Sequence, residues 1–230
     1  PRISSVAVAA DNATIAVTMN EAVYNATGGS GNLEASDFAL SLSGGAATLG
    51  STTPTSISKS GNVYTLGMNI SGTPTGFEEI TVIPVDNSIY DASNNEASTN
   101  QVMNQDYLTD KVGPTIYSTV VGASNSNVVV TFSDPVFNTS SGSGALQASD
   151  FTVSVSGGTA SAVAISSVSV SGTAVTLALT ITGVANGSET LTVNVAANSV
   201  YDTYGNASGT SQSNNTATLK DGRILVKNGL

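Results

Sequence analysis

The sequence predicts an all-β chain folded as two tandem β-sandwiches. Three observations carry that expectation. The chain is one unit written twice, apolar residues inside each copy recur at every second position, and Gly-, Asn- and Ser-rich stretches separate the apolar runs. A period of two marks strands with one face on a core and one in water, and turn-forming clusters bound them. No segment keeps the 3.6-residue period of an amphipathic helix.

The duplication fixes the organisation. Residues 1–45 match 114–158 at a constant offset of 113 without a gap, and from Ser60 onward the offset is 111. The second copy therefore lacks two residues between about 46 and 59. Thr18-Met19-Asn20-Glu21-Ala22-Val23-Tyr24-Asn25 matches Thr131-Phe132-Ser133-Asp134-Pro135-Val136-Phe137-Asn138, and Gly44-Gly45 matches Gly157-Gly158. Asn87-Ser88-Ile89-Tyr90-Asp91 matches Asn198-Ser199-Val200-Tyr201-Asp202. The reading is repeat 1 over 1–112, repeat 2 over 113–221 and a tail over 222–230.

The strands follow in order. Ile15, Val17 and Met19 form one inward stripe, matched by Val128, Val130 and Phe132. Phe38, Leu40 and Leu42 form the next, matched by Phe151, Val153 and Val155. Tyr64, Leu66, Met68 and Ile70 correspond to Val175, Leu177, Leu179 and Ile181, and Ile80 and Val82 to Leu191 and Val193. The intervening residues are mainly Ser, Thr, Asn, Ala and Gly. Seven or so short strands in about 110 residues indicate an immunoglobulin-like (Greek-key) β-sandwich in each copy. Neither Trp nor Cys is present to pin the sheets, so apolar burial, worth roughly 25 cal/mol per Å², must hold them together.

Four segments resemble the bacterial Ig-like repeats of large surface adhesins and S-layer-associated proteins. They are the Pro-x-Ile-x-Ser opening, Thr-Phe-Ser-Asp-Pro-Val at 131–136, Leu-x-Ala-Ser-Asp-Phe at 146–151 and Tyr-Asp-x-x-Gly-Asn at 201–206. The resemblance covers residues 1–221 and implies the sandwich fold and a cell-surface location. Its functional reach is broad, since such repeats serve as stalks, ligand-binding domains and appendages of enzymes. The first copy departs from the pattern at Tyr90-Asp91-Ala92-Ser93-Asn94-Asn95, where Asn94 replaces the Gly. Asn tolerates the left-handed backbone, so the turn is expected to survive.

Composition narrows the function. The net charge of −10 opposes binding to nucleic acid or anionic lipid. The absence of His and Cys excludes imidazole acid–base chemistry, thiolate metal sites and disulfides. No 18-residue apolar run is present to span a membrane as a helix. The chain opens at Pro1 without a signal-peptide pattern, so any leader is expected to have been removed or to lie outside this sequence. Seven Asn-x-Ser/Thr sequons permit glycosylation, a number that chance alone yields in so Asn-, Ser- and Thr-rich a chain.

Candidate sites begin with calcium. Acidic residues recur at Glu21/Asp134, Asp37/Asp150, Glu78/Glu189, Asp91/Asp202 and Asp110/Asp221. Calcium takes six to eight oxygens, which carboxylates, Asn side chains and turn carbonyls supply. The candidate ligands are Glu21, Asp91, Asn95, Asp110, Asp134, Asp202, Asn206 and Asp221, against a competing reading in which the short side chains stabilise turns through Asx hydrogen bonds. No EF-hand loop is present. No catalytic residues are expected, because Ser and Thr nucleophiles lack a base and acids present in both copies look architectural. An intramolecular Lys–Asn crosslink is disfavoured, since Lys59 has no counterpart in the second copy. Tyr107, Tyr117 and Tyr204 lack aromatic counterparts and are candidates to stack on sugars, whereas Phe38, Phe151, Tyr90 and Tyr201 are read as core.

The tail carries the last clue. Ile224-Leu225-Val226 is a short β-prone run flanked by Arg223 and Lys227. The body through residue 221 holds 4 basic and 16 acidic residues, whereas the tail adds two positive charges. A terminal strand of this kind needs a partner. It either folds on its own chain or a neighbouring domain, or it adds as a donor strand to the next subunit and joins copies head to tail. The linker around Asp110-Lys111-Val112-Gly113-Pro114 is restrained by Pro114, and calcium there would stiffen it. The expected protein is extracellular and non-enzymatic, a stalk module or a surface-filament subunit. Its partners would be further copies of itself or neighbouring domains of a larger surface protein. A carbohydrate-binding module of a secreted protein is the alternative.

Overall fold

A computed structural model describes residues 1–223. The chain forms two compact units, the first over Pro1–Val112 and the second beginning at Gly113. The first contains β1 (Ile3–Val8), β2 (Thr14–Met19), β3 (Phe38–Ser43), β4 (Thr48–Leu49), β5 (Ile57–Ser60), β6 (Val63–Gly67), β7 (Ile70–Ser71), β8 (Glu79–Pro84) and β9 (Gln105–Tyr107). The second contains β10 (Ile116–Val121), β11 (Asn127–Phe132), β12 (Phe151–Ser156), β13 (Ala162–Ser171), β14 (Ala174–Thr182), β15 (Thr190–Val195) and β16 (Thr216–Thr218).

All strand pairs are antiparallel. In the first unit a four-stranded sheet ordered β1-β2-β6-β5 faces a three-stranded sheet β3-β8-β9. In the second the orders are β10-β11-β14-β13 and β12-β15-β16. Read along the chain, these are the ABED and CFG sheets of a constant-type immunoglobulin sandwich. The fold class is therefore two tandem immunoglobulin-like sandwiches. The expected C-terminal strand, Arg223 to Lys227, lies outside the described residues except for Arg223.

The period-two stripes become the two cores. Ile15, Val17, Met19, Phe38, Leu40, Tyr64, Leu66, Ile80 and Val82 are buried in the first unit. Val128, Val130, Phe132, Phe151, Val175, Leu177, Leu191 and Val193 are buried in the second. One aromatic of the larger sheet meets the Phe that opens the third strand in each unit, but it comes from different strands. Tyr64 of β6 lies 6.1 Å from Phe38, and Phe132 of β11 lies 6.4 Å from Phe151.

The length difference between the copies has a visible cause. In the first unit residues 50–56, including buried Pro54, interrupt the edge strand and leave β4 and β5 as separate pieces. In the second the same course is the single strand β13, with one irregularity between Ile165 and Ser167. The Leu-x-Ala-Ser-Asp-Phe segments form short 3-10 turns, Ala35–Asp37 and Ala148–Asp150, which deliver Phe38 and Phe151 to the cores.

Candidate functional site

The carboxylates that recur in both copies act as internal fasteners. Glu78 precedes β8 and is fully buried. Its Oε1 accepts the Ala46 and Ala47 N–H groups at 2.7 and 2.9 Å, and its Oε2 accepts the Thr75 N–H at 2.8 Å. Glu189 does the same in the second unit, with Thr159 and Ala160 N–H at 2.6 and 3.0 Å on Oε1 and Gly187 N–H at 3.0 Å on Oε2. Burial alone would raise both acids; the converging backbone donors outweigh it and lower each to about 2. Gly45 and Gly158 are required beside them, because a Cβ there would fall 2.0 Å from Glu78 Oε1 or 2.2 Å from Glu189 Oε1, at φ of 56° and 60°.

Asp37 and Asp150 close the 3-10 turns, their Oδ2 atoms accepting the Glu34 and Gln147 N–H at 2.7 Å. Desolvation raises the Asp37 pKa despite that bond.

The candidate calcium ligands are occupied by local donors. Asp91 Oδ1 accepts the Ser93 and Asn95 N–H, both at 2.8 Å, while Oδ2 takes the Asn95 side-chain amide at 2.7 Å. Asp202 repeats the pattern with the Tyr204 and Asn206 N–H and the Asn206 amide, all at 2.8 Å. These bonds, led by the Asn95 side chain, hold Asp91 below the usual carboxylate range. Asp110 Oδ1 accepts the Val112 N–H, and Asp221 Oδ1 the Arg223 N–H. Asp221 also pairs with the Arg223 guanidinium at 2.7 Å, which with those bonds lowers it to about 2. Glu21 meets the Pro1 ammonium at 3.3 Å, and Asp134 accepts the Ser133 hydroxyl at 2.7 Å. Among the described residues no group of three or more acidic side chains is placed to share one metal ion.

Asn94 takes the left-handed conformation at φ 68°, as Gly205 does at 82°, so the departure from the repeat pattern leaves the turn intact. Its side-chain oxygen accepts the Gly28 N–H.

A second set of fasteners was hidden in the sequence. Asn12 exchanges two bonds with Thr109, Nδ2 to O and N–H to Oδ1, both at 2.7 Å. Asn125 does so with Lys220, again at 2.7 Å. Both sit at positive φ and hold the segment that leaves the unit. The matching residues, 113 and 111 positions apart, were the available signal. Beside each clamp lies an open cleft. The first, of about 310 Å³, is lined by Asn12, Met68, Pro74 and Lys111; the second, of about 330 Å³, by Asn125, Leu179, Ala185 and Gly222.

Of the aromatic candidates, Tyr107, Tyr117 and Tyr204 are exposed. Phe38 and Phe151 are buried, whereas Tyr90 and Tyr201 are half-buried, bridging Tyr24 and Phe137. Arg223 is the last described residue; Ile224, Leu225, Val226 and Lys227 lie outside the described residues.

No family model matches the chain, and no curated protein matches it in sequence. Among solved structures, the N-terminal part of the bacterial S-layer protein SbsC is similar at 17% identity and a TM-score of 0.34 over 86% of this chain and 42% of that one. The Escherichia coli adhesin FdeC is similar at 16% identity and a TM-score of 0.37 over 97% of this chain and 61% of that one. The chain thus spans less than two thirds of either.

Proposed function

We propose that the protein is a non-enzymatic structural or adhesive element of the cell exterior, built to be joined end to end. The observation that carries this reading is the repeated exit. The chain leaves each unit through the same contacts: an Asn clamp, an Asp that binds the N–H two residues on, and a backbone bond from Lys111 N to Pro74 O or from Gly222 N to Ala185 O, both 2.9 Å. At the first exit those contacts lead into another sandwich. A geometry reproduced at the second suits a module whose end is also a junction. The buried carboxylates support the non-enzymatic part, since their oxygens are spent on backbone donors and no His is present to exchange protons with them.

The junction would be made by the tail. Arg223 to Lys227 would add as a strand to the next copy and build a head-to-tail filament; pairing in cis would instead make the protein a stalk segment. Electron microscopy of the chain lacking residues 222–230 tests this. Loss of assemblies supports the filament, and unchanged filaments end it. A carbohydrate-binding role is the second reading, favoured by the exposure of Tyr107, Tyr117 and Tyr204. Glycan-array binding abolished by Tyr107→Ala or Tyr204→Ala would establish it.

A further inference from the structure

The four-stranded sheet of the second unit ends on β13, the longest strand of the described chain, and no described strand pairs with its outer side. An open edge presents a row of backbone N–H and C=O groups, and soluble proteins blunt such edges by shortening or breaking them or by placing proline or lysine there. The first unit uses all of these at the same place. Its edge is cut into two residues of β4 and four of β5, with Pro54 between them. Lys59 stands on the second piece, 5.4 Å from the Tyr64 ring. The second unit lacks the break, the proline and the lysine, and its one irregularity, between Ile165 and Ser167, lies before the stretch Val168–Ser171. β13 runs ten residues, Ala162–Ser171, with no proline and no charge. Val170 opposes Val175 where Lys59 opposes Tyr64, so an apolar residue stands in place of the lysine.

The pairing pattern identifies which groups are free. The turn at Gly172-Thr173 closes β13 onto β14 at Ser171 and Ala174. Counting back from that closing pair, Ser169 and Ser171 bond to β14, whereas Val168 and Val170 turn their N–H and C=O outward. Val170 is 44% exposed, while Val168 packs partly against the core.

We infer that the β13 edge pairs antiparallel with the β13 edge of a second copy of the chain, across a two-fold axis at Ser169. In that register Val168 of one chain lies opposite Val170 of the partner subunit. Each such pair exchanges two backbone hydrogen bonds, four in all, and covers the exposed valine with an apolar neighbour. Parity fixes the register, because directly opposed residues share a face and valine then meets valine. The contact is self-complementary and closes at two copies. A second copy is the occupant the charge favours. It does so only in the sense that the chain's −10 makes no like-charge contact along this uncharged edge, where Val168 and Val170 complement each other across the axis. The tail takes no part, so the dimer and the head-to-tail filament stand or fall separately.

The absence of cysteine supplies the test. Ser169→Cys would face its own copy across the axis at a Cα separation of about 4.5 Å, within disulfide reach. Mild oxidation should yield a covalent dimer from S169C and none from Ser41→Cys, at an exposed site on β3. Sedimentation equilibrium should find a dimer in the chain lacking residues 224–230, where tail-driven assembly cannot contribute. Val170→Lys, which restores the first unit's lysine, should leave a folded monomer with an unchanged circular dichroism spectrum. A chain that stays monomeric at every concentration overturns the proposal, as does a folded V170K that still dimerises. Should V170K fail to fold, S169C decides alone, and absence of its crosslink overturns the proposal. Filaments lost on tail deletion would bear only on the head-to-tail reading.

Discussion

At the residue scale the molecule spends its acids on its own backbone. Glu78 and Glu189 are lowered to about 2 in the folded chain, against an ordinary value near 4.5. A carboxylate whose pKa falls on folding stabilises the fold above its unfolded pKa, and that contribution is lost as pH drops through the folded value. Asp91 and Asp221 act in the same direction, and Asp37, whose pKa is raised, opposes them. The urea midpoint should therefore fall between about pH 4.5 and pH 2; a midpoint flat across that window would refute the fastener role. Glu78→Gln turns an acceptor into a donor that faces backbone N–H groups. It should cost about 2 kcal/mol at neutral pH and flatten part of the acid slope, both readable from urea denaturation. Calcium addition should leave the melting temperature unchanged, because Asp91 and Asp202 already accept three N–H bonds each; a rise that grows with concentration would return those residues to the metal. The recurrence of these acids was legible in the sequence. The turn-forming work of Asp91 and Asp202 was legible too; that of Glu78 and Glu189 was not, because the donors are backbone groups at positions such as Ala46 and Ala160, whose side chains carry no trace of them.

At the element scale, strands were readable wherever one face is apolar. The stripe Ile15-Val17-Met19 and its partners became core strands with their alternation intact. The edge strands were harder to read. β5 has a single apolar residue, Ile57, while β13 alternates at Val163 and Ile165 and again at Val168 and Val170 but slips phase between them. Both acquire meaning from sheet order, which a local period does not encode. Compensation between strands is equally invisible to a strand-by-strand reading. The first unit buries Met19 and Tyr64 at the positions where the second buries Phe132 and Val175. One aromatic fills the gap above the opening Phe in each case. Val175→Tyr alone should overpack the second core and cost about 1–3 kcal/mol. Adding Phe132→Met should recover most of that loss and give a large coupling energy in a double-mutant cycle. Additive costs would show that the two positions do not share one volume.

At the scale of the whole molecule the two copies differ in charge far more than in fold. Residues 1–112 hold 11 acidic and 3 basic side chains, whereas residues 113–230 hold 5 and 3. The first unit therefore carries −8 and the second −2, on sandwiches of the same strand order. Each has its own buried core and, among the described residues, shares no strand with the other, which is the condition for independent folding. Excess charge of one sign works against a compact state, and salt relieves it as the Debye length shrinks from about 30 Å at 0.01 M to about 3 Å at 1 M. The polypeptide 1–112 should therefore unfold cooperatively on its own, with a melting temperature that climbs as sodium chloride is raised through that range. The polypeptide 113–223 should unfold cooperatively too, with a smaller climb. Sulfate salts must be avoided, because their exclusion from protein surfaces would raise both alike. Equal slopes in sodium chloride would mean that the acids of the first unit sit too far apart to repel. Failure of either polypeptide to fold would mean that the units are not independent.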